Sequence, residues 1–262
     1  MYVNTFEKRV VALLPFLAML AGCSANSRII TEPGSEPLPL ALAREENGLV
    51  ITVDGLVVPN GAGSWIRDAG WDEYQLTLEN RSDGSLELRG FALLDPAEEW
   101  RTAGTDPKEL EDESKQLNRL YKDIGISIAI GAVPFATVAM AGGGAAALTS
   151  SVALTAMILA PAFLVAGGSY LVSSRQVENR DQRYAAWEME TRSIPVSLEL
   201  GPGEQISGSL FFPIVPSPDA LVVQYTRDGE PRSVRLELDA LAGLHIDPDA
   251  ALYEPSDTVA ER

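Results

Sequence analysis

The sequence predicts a mainly β protein, a β-sandwich interrupted by a long inserted α-helical hairpin. Short runs of alternating apolar and polar residues occur in 45–98 and again in 193–240. The segment between them has helical spacing, and its centre, from Ile124 to Ser174, contains no Asp, Glu, Lys, Arg, His, Asn or Gln. With 262 residues, of which 46% are apolar, the chain can form one or two domains with a substantial core.

The N-terminal residues have the pattern of a secretion signal. Lys8 and Arg9 form a short basic region, and an apolar stretch runs from Val10 to Leu20. Leu20-Ala21-Gly22-Cys23 follows, with small residues directly before the only cysteine of the chain. These residues resemble the lipobox of bacterial lipoproteins. The resemblance implies that residues 1–22 are a signal peptide and that Cys23 is acylated and becomes the first residue of the mature chain.

An ordinary signal peptide, or an N-terminal membrane anchor with an incidental cysteine, is the alternative. In the sorting rule known for some of these lipoproteins, an Asp after the cysteine favours the inner membrane, so Ser24 favours the outer membrane. The residues that follow are polar and rich in proline. Residues 23–44 therefore predict a flexible tether.

Residues 45–98 predict the first half of the sandwich. A strand-like run begins with LVITV at Leu49, and YQLTLEN, from Tyr74 to Asn80, has apolar residues with a period of two. Arg81-Ser82-Asp83-Gly84 supplies a turn, and LELRGFALLDP follows from Leu86.

Residues 106–192 predict a helical stalk that carries an apolar hairpin. Asp106 can cap a helix and Pro107 suits its first turn. Leu110, Leu117, Leu120, Tyr121 and Ile124 fall on one face at helical spacing, and the helix is expected to continue into the apolar run without a break. A second helix is expected after residue 175, with Val177, Tyr184 and Trp187 facing the first.

Two apolar runs, 124–141 and 152–172, have the length and mean hydropathy of transmembrane helices. Gly142, Gly143 and Gly144 lie between them and suit a reversal of the chain. The runs therefore predict a membrane-spanning or membrane-inserted hairpin with its turn at these glycines. The alternatives are a buried Ala/Gly-rich helical pair in a soluble domain and a segment that self-associates through small residues spaced four apart.

Residues 193–240 predict the second half of the sandwich, with Gly/Pro-rich turns between four strand-like runs. LELGPGEQISGSLFFP, with LVVQY after it, resembles strands in small immunoglobulin-like domains of bacterial envelope lipoproteins. The resemblance implies an immunoglobulin-like sandwich and brings no functional residue. Neither half is large enough to form a stable domain alone, so one interrupted sandwich is predicted rather than two domains. Residues 241–262 predict an acidic C-terminal tail.

The charge and the motifs exclude several classes of function. A formal net charge of -17 opposes binding to nucleic acid. The sequence contains no Walker loop and no GxSxG motif, and its single histidine leaves no second His for base catalysis. His245 lies near Asp247 and Asp249, a set that can bind a metal. A lone His in such a tail is more often solvated, so no catalytic residue, metal or cofactor is predicted.

The sequence therefore predicts a non-enzymatic, membrane-anchored lipoprotein of the bacterial cell envelope. Its sandwich, expected in the periplasm, binds an envelope protein partner or scaffolds an assembly, and membrane lipid receives the acyl anchor and the hairpin. The alternative is a membrane-active or transport accessory protein that forms homo-oligomers through the hairpin. A hydrolase is a distant third. Ser24 favours the outer membrane and the hairpin favours the inner one, so the choice of membrane stays open.

Overall fold

The computed structural model describes residues 27–30, 34–129 and 167–246. The chain divides into two compact units. In the described part, the first unit consists of residues 27–28 and 167–181, and the second consists of residues 29–30, 34–129 and 182–246. The predicted signal peptide 1–22, Cys23 and the glycine turn lie outside the described residues, as do most of both apolar runs.

In the described part of the chain, nine strands form two antiparallel sheets. The first sheet has the order β1-β2-β3-β7, and the second has the order β5-β4-β8-β9 with β6 also paired to β4. The predicted mainly β class is confirmed. The strands are β1 (Leu38–Glu46), β2 (Leu49–Val57), β3 (Trp71–Asn80), β4 (Leu86–Leu94), β5 (Trp100–Thr102), β6 (Glu199–Leu200), β7 (Gln205–Pro213), β8 (Ala220–Arg227) and β9 (Glu230–Glu237).

Both sheets combine strands from before and after the helical segment. In the first sheet, β3 pairs with β7 from Trp71 opposite Pro213 to Glu79 opposite Gln205. In the second sheet, β4 pairs with β8 over almost its whole length. A single core therefore contains residues from before and after the helical segment.

Alternation along β3 explains how this core forms. Tyr74, Leu76 and Leu78 are buried, whereas the intervening Gln75 and Thr77 are only partly so. The inward side chains join one apolar cluster with residues of both sheets, and Tyr74 meets Phe212 edge to face with ring centroids 5.6 Å apart. Each fully buried apolar side chain of this kind contributes about 1.5–3 kcal/mol.

Helix α1, Pro107–Asp123, begins where the sequence predicts. The carboxylate of Asp106 accepts hydrogen bonds from the backbone N–H groups of Lys108 at 2.8 Å and Glu109 at 3.3 Å. Leu110, Leu117 and Tyr121 are buried as expected, but Leu120 and Ile124 are exposed.

The predicted continuation of α1 into the apolar run is wrong. Gly125 has a φ of +86°, and the N–H of Ile126 donates to the carbonyl of Tyr121 at 2.8 Å, so the helix closes with a glycine cap. The chain then extends, Ile128 pairs with Ile246, and the Ile128 side chain enters the sandwich core. Residues 124–129 of the first apolar run therefore belong to the β-domain.

Helix α2, Gly167–Arg192, packs differently from the prediction. Tyr184 and Trp187 were expected to face the first helix, but both are exposed and stack on each other at 5.8 Å. Ala185 and Met189 are the buried side chains, and they pack beside the sandwich in a second apolar cluster with Trp65, Trp71, Leu110 and Phe211. Neither α1 nor the described α2 is long and apolar enough to cross a membrane.

The structure also differs from the predicted tether and tail. Strand β1 begins at Leu38, inside the range 23–44, because its alternating leucines are half-buried against the core. Ile29 pairs with Ile66, so the chain is already in contact with the β-domain before β1. At the other end, Leu241 and Leu244 are buried in the core instead of lying in a solvated tail.

Candidate functional site

A cavity of about 600 Å³ opens at the edge of the second sheet. β6 pairs with the start of β4 at Leu86 and Glu87, and β5 pairs with its end from Ala92 to Leu94. Arg89, Gly90 and Phe91 of β4 lie between these two pairings and line the cavity. Parts of the chain that are distant in sequence line it: β4 with β5, the loop 103–105, the connection 193–196, and single stretches of β7 and β8. We call this cavity the edge groove.

The edge groove combines apolar walls with an exposed apolar rim. Phe91, Ile194 and Phe211 line it and are buried. Trp100 and Val196 also line it, and they are 53% and 56% exposed. Large apolar side chains with this exposure are frequent at protein-binding surfaces, where a partner removes them from water.

The polar groups of the edge groove are neutral, apart from Arg89. The hydroxyls of Thr102, Thr105 and Ser193 and the amide of Gln224 line it, and Arg89 is ion-paired with Glu87 at 2.6 Å. The described residues that line the groove include no carboxylate and no imidazole. The groove can therefore bind an apolar group with a few hydrogen bonds, but it presents no acid–base pair to a substrate.

His245 is buried against β3, where the sequence analysis expects a solvated side chain. Its Nε2 lies 2.8 Å from Oδ2 and 3.0 Å from Oδ1 of Asp72, and the two side chains are 0% and 1% exposed. His245 has a φ of +59°, and its carbonyl accepts a hydrogen bond from Ala129 N–H at 3.0 Å. His245 lies inside because Leu241 and Leu244, which precede it in the chain, are buried in the core.

Electrostatics at this pair favour the charged imidazole. Burial lowers the pKa of His245, but the charge of Asp72, the hydrogen bond to it and the backbone of Ala129 raise it, and the net direction is upward. Burial, together with the charge of Asp72, also raises the pKa of the neighbouring Tyr74 well above its ordinary value. Since both members of the pair are sealed from solvent, neither is in a position to contact a substrate.

The metal hypothesis for His245 receives no support from these contacts. Asp247 and Asp249 lie outside the described residues, and the observed partner of His245 is Asp72. Within residues 27–30, 34–129 and 167–246, no group of three or more His, Cys, Asp or Glu side chains has the arrangement of a metal site.

A second buried carboxylate, Glu73, is absent from the sequence predictions. It accepts hydrogen bonds from Trp65 Nε1 at 2.8 Å and from Ser209 Oγ at 2.6 Å. The guanidinium of Arg192 lies 3.7 Å from Glu73 Oε1 and 5.2 Å from the centroid of the Trp65 ring. The sequence signal for this site is the pair of adjacent carboxylates Asp72 and Glu73 in β3. Adjacent residues of a strand point to opposite faces of the sheet, so both are buried only where both faces are covered.

The two predicted functional elements with specific residues cannot be placed. Cys23, the predicted lipidation residue, and Gly142, Gly143 and Gly144, the predicted hairpin turn, lie outside the described residues. Both assignments stay predictions.

Comparison of the chain with protein-family models, with curated proteins and with solved structures finds no match.

Proposed function

We propose that this chain is a non-enzymatic lipoprotein of the bacterial cell envelope, anchored to a membrane through acylated Cys23 and an apolar hairpin, with a β-domain that binds a protein partner. The observation that carries the proposal is the position of Cys23. It is the only cysteine, and it directly follows the small residues that end an apolar signal stretch. Several acyl chains on one residue give stable membrane anchoring, whereas one chain is marginal.

Incorporation of labelled palmitate tests the lipid anchor. Wild-type chain is expected to take up the label and to lose residues 1–22, whereas Cys23→Ala is expected to stay unlabelled and unprocessed. Equal labelling of Cys23→Ala and wild type would refute acylation at this position.

We infer further that the sandwich is immunoglobulin-like. The support is its strand order, in which β2-β3-β7 and β5-β4-β8-β9 match the A-B-E and C′-C-F-G orders of such domains. In this correspondence, the helical insertion lies between C′ and E, where strand D occurs in the constant-type fold.

The edge groove is the proposed surface for the protein partner. Trp100 and Val196 give it an exposed apolar rim, and its walls carry hydroxyl and amide groups that can bond to a peptide backbone.

A photo-crosslinking amino acid at position 100 tests this surface, with position 187 as the matched control. Trp100 and Trp187 are exposed to similar extents, 53% and 57%, but only Trp100 lines the groove. We expect one heterologous adduct in intact cells from position 100 and none of that mass from position 187. The same adduct from both positions would refute the groove as the specific surface.

The alternative function is a membrane accessory protein that oligomerises through its hairpin. The observation in its favour is the four-residue spacing of small residues, as in Ala132 and Ala136 or Ala156 and Ala160. Crosslinking in native membrane separates the two proposals. A ladder of homo-oligomers favours this alternative, and a single heterologous adduct favours the partner-binding lipoprotein.

A further inference from the structure

The segment that follows Cys23 is held by a buried carboxylate of helix α2. Asp181 is only 2% exposed. Both of its carboxylate oxygens lie 3.1 Å from the donor Ser27 Oγ. Its Oδ2 also accepts a hydrogen bond from the backbone N–H of Arg28 at 2.7 Å. Arg180 Nη2 adds an ion pair at 3.3 Å. A buried carboxylate is costly unless such donors satisfy it, so these contacts fix Ser27 and Arg28 at one position on α2.

This position is close to both predicted membrane anchors. The chain from Cys23 to Ser27 spans at most about 14 Å when fully extended. Along helix α2, Val172, the last residue of the second apolar run, is about 14 Å from Asp181 at 1.5 Å per residue. The hydrocarbon core of a bilayer is about 30 Å thick. Neither distance is long enough to carry a chain from one side of the bilayer to the other.

We propose that Asp181 is a clamp for Ser27 and Arg28 that makes the acyl anchor on Cys23 and the apolar hairpin enter the same membrane leaflet, side by side. The inference rests on the proposed lipoprotein function. Glu178 and Arg180, which precede Asp181 on α2, are exposed charged residues, so this part of the helix lies in water. The acyl chains on Cys23, which is tethered to this part of the helix over a short distance, must therefore enter the leaflet from which α2 emerges. Ser27 and Arg28 lie within the range 23–44 that the sequence predicts to be a flexible tether, and the clamp holds them on α2 instead.

Disulfide trapping in native membranes tests the clamp. Ser27→Cys with Asp181→Cys is expected to form an intramolecular disulfide under mild oxidation, since the two side chains are in contact. Ser27→Cys with Glu178→Cys is the control, because Glu178 is exposed on the same helix. Equal disulfide yields for the two pairs would overturn the proposal.

Trypsin sensitivity gives a second readout that does not require Asp181 to be replaced by cysteine. Arg28 is itself a trypsin site, and its cleavage rate reports how often the segment leaves the helix. We expect Asp181→Asn to speed cleavage after Arg28 at least about tenfold, because hydrogen bonds to a charged group are lost. Glu178→Gln is expected to match wild type. Equal rates for Asp181→Asn and wild type would overturn the clamp.

Palmitate labelling of the same membranes separates failure of the clamp from failure of the proposed function. If the chain takes up label at Cys23 but the cysteine pair at positions 27 and 181 forms no more disulfide than the control pair, the clamp is refuted and the lipoprotein proposal stands. A preferred disulfide in a chain that takes up no label at Cys23 would refute the lipoprotein proposal and the shared leaflet with it. Label together with the preferred disulfide and slow cleavage after Arg28 is the result we expect.

Discussion

At the residue scale, the buried carboxylates of the β-domain each have a specific donor. Asp72 is paired with His245, and Glu73 accepts from Trp65 and Ser209. Asp95, fully buried, accepts two hydrogen bonds from Arg101, from Nε at 3.0 Å and from Nη2 at 2.8 Å. Removal of such a donor leaves a charge in a medium of low dielectric, so we expect single substitutions at these pairs to be strongly destabilising.

The pair of His245 and Asp72 predicts a specific pH dependence of stability. The pKa of His245 is higher in the folded protein than the unfolded value of about 6.5, so its contribution is complete below that pH. The contribution is lost as the pH rises through the raised pKa. We expect the free energy of unfolding of wild type to fall with rising pH over this range, measured by urea denaturation of the detergent-solubilised chain.

Since His245 is the only histidine, its replacement removes the effect cleanly. The variant with both His245→Gln and Asp72→Asn is expected to have little slope between pH 6.5 and the raised pKa of His245. A slope equal to that of wild type would show that another group is responsible.

The contrast between a buried and an exposed arginine gives a second prediction. Arg101→Met removes both donors to Oδ2 of the buried Asp95 and its counter-charge, while the backbone N–H groups of Ala97 and Glu99 still donate to Oδ1. We expect a loss of about 3 kcal/mol in the free energy of unfolding. Arg81→Met is the control, because Arg81 pairs with Glu79 at 2.7 Å and Glu45 at 3.2 Å on the surface. No measurable change is expected there. Equal losses in both variants would contradict this account of Asp95.

At the element scale, the end of helix α1 decides where the β-domain stops and the apolar stretch begins. Gly125 allows the closing turn, and Ile126 and Ile128 then pack on the sandwich core. A single glycine within an apolar run resembles the glycines of membrane helices, so the sequence does not distinguish a helix cap there from a continuous helix. The cap becomes evident only when Ile128 has a partner, Ile246, which is remote in sequence.

Substitution of Gly125 tests this cap. Gly125→Ala places a side chain at a φ of +86°, and we expect a loss of about 1 kcal/mol in the free energy of unfolding. Gly34→Ala is the control, since Gly34 has an ordinary φ and open space around it. If thermal or urea denaturation shows the two variants equally stable, the glycine cap is not required.

Other elements were easier to predict because their signals are local. The alternation of β3 and the Asp106-Pro107 start of α1 depend on neighbours in sequence, and the structure confirms both. The prediction that Tyr184 and Trp187 face the first helix is wrong because this part of α2 packs on the sandwich through Ala185 and Met189, which leaves Tyr184 and Trp187 exposed. A small side chain such as that of Ala185 carries little signal in a hydropathy pattern.

At the scale of the whole molecule, the sites depend on contacts between distant parts of the chain. His245 and Asp72 are 173 residues apart. The edge groove needs β4, β5 and the connection 193–196 together. Sequence periodicity reports which face of an element is apolar but not which other element covers it, so neither site could be predicted. The predicted signal sequence with Cys23, in contrast, is a contiguous pattern, so it can be recognised without knowledge of the fold.

The sandwich core predicts which part of the insertion is dispensable for folding. Leu117, Tyr121 and Ile128 belong to the sandwich core, and Ala185 and Met189 pack beside it, so both flanks of the insertion are needed. A chain without residues 1–26, and with residues 130–166 replaced by a Gly/Ser linker of equal length, is expected to be soluble and rich in β-structure by circular dichroism. Loss of cooperative unfolding in this variant would contradict the prediction that the sandwich folds without the replaced segment.

The most direct test of the account is whether the chain stays in a membrane without its acyl group. A Cys23→Ala chain exported through a cleavable signal is expected to remain in the membrane pellet after alkaline carbonate washing, because the apolar hairpin alone holds it. Addition of Val138→Lys and Leu159→Lys should release a fraction, since each charge at the bilayer centre costs about 3 kcal/mol. If the Cys23→Ala chain is washed off as freely as a periplasmic marker, the charge-free stretch does not enter the membrane and the two-anchor account is wrong.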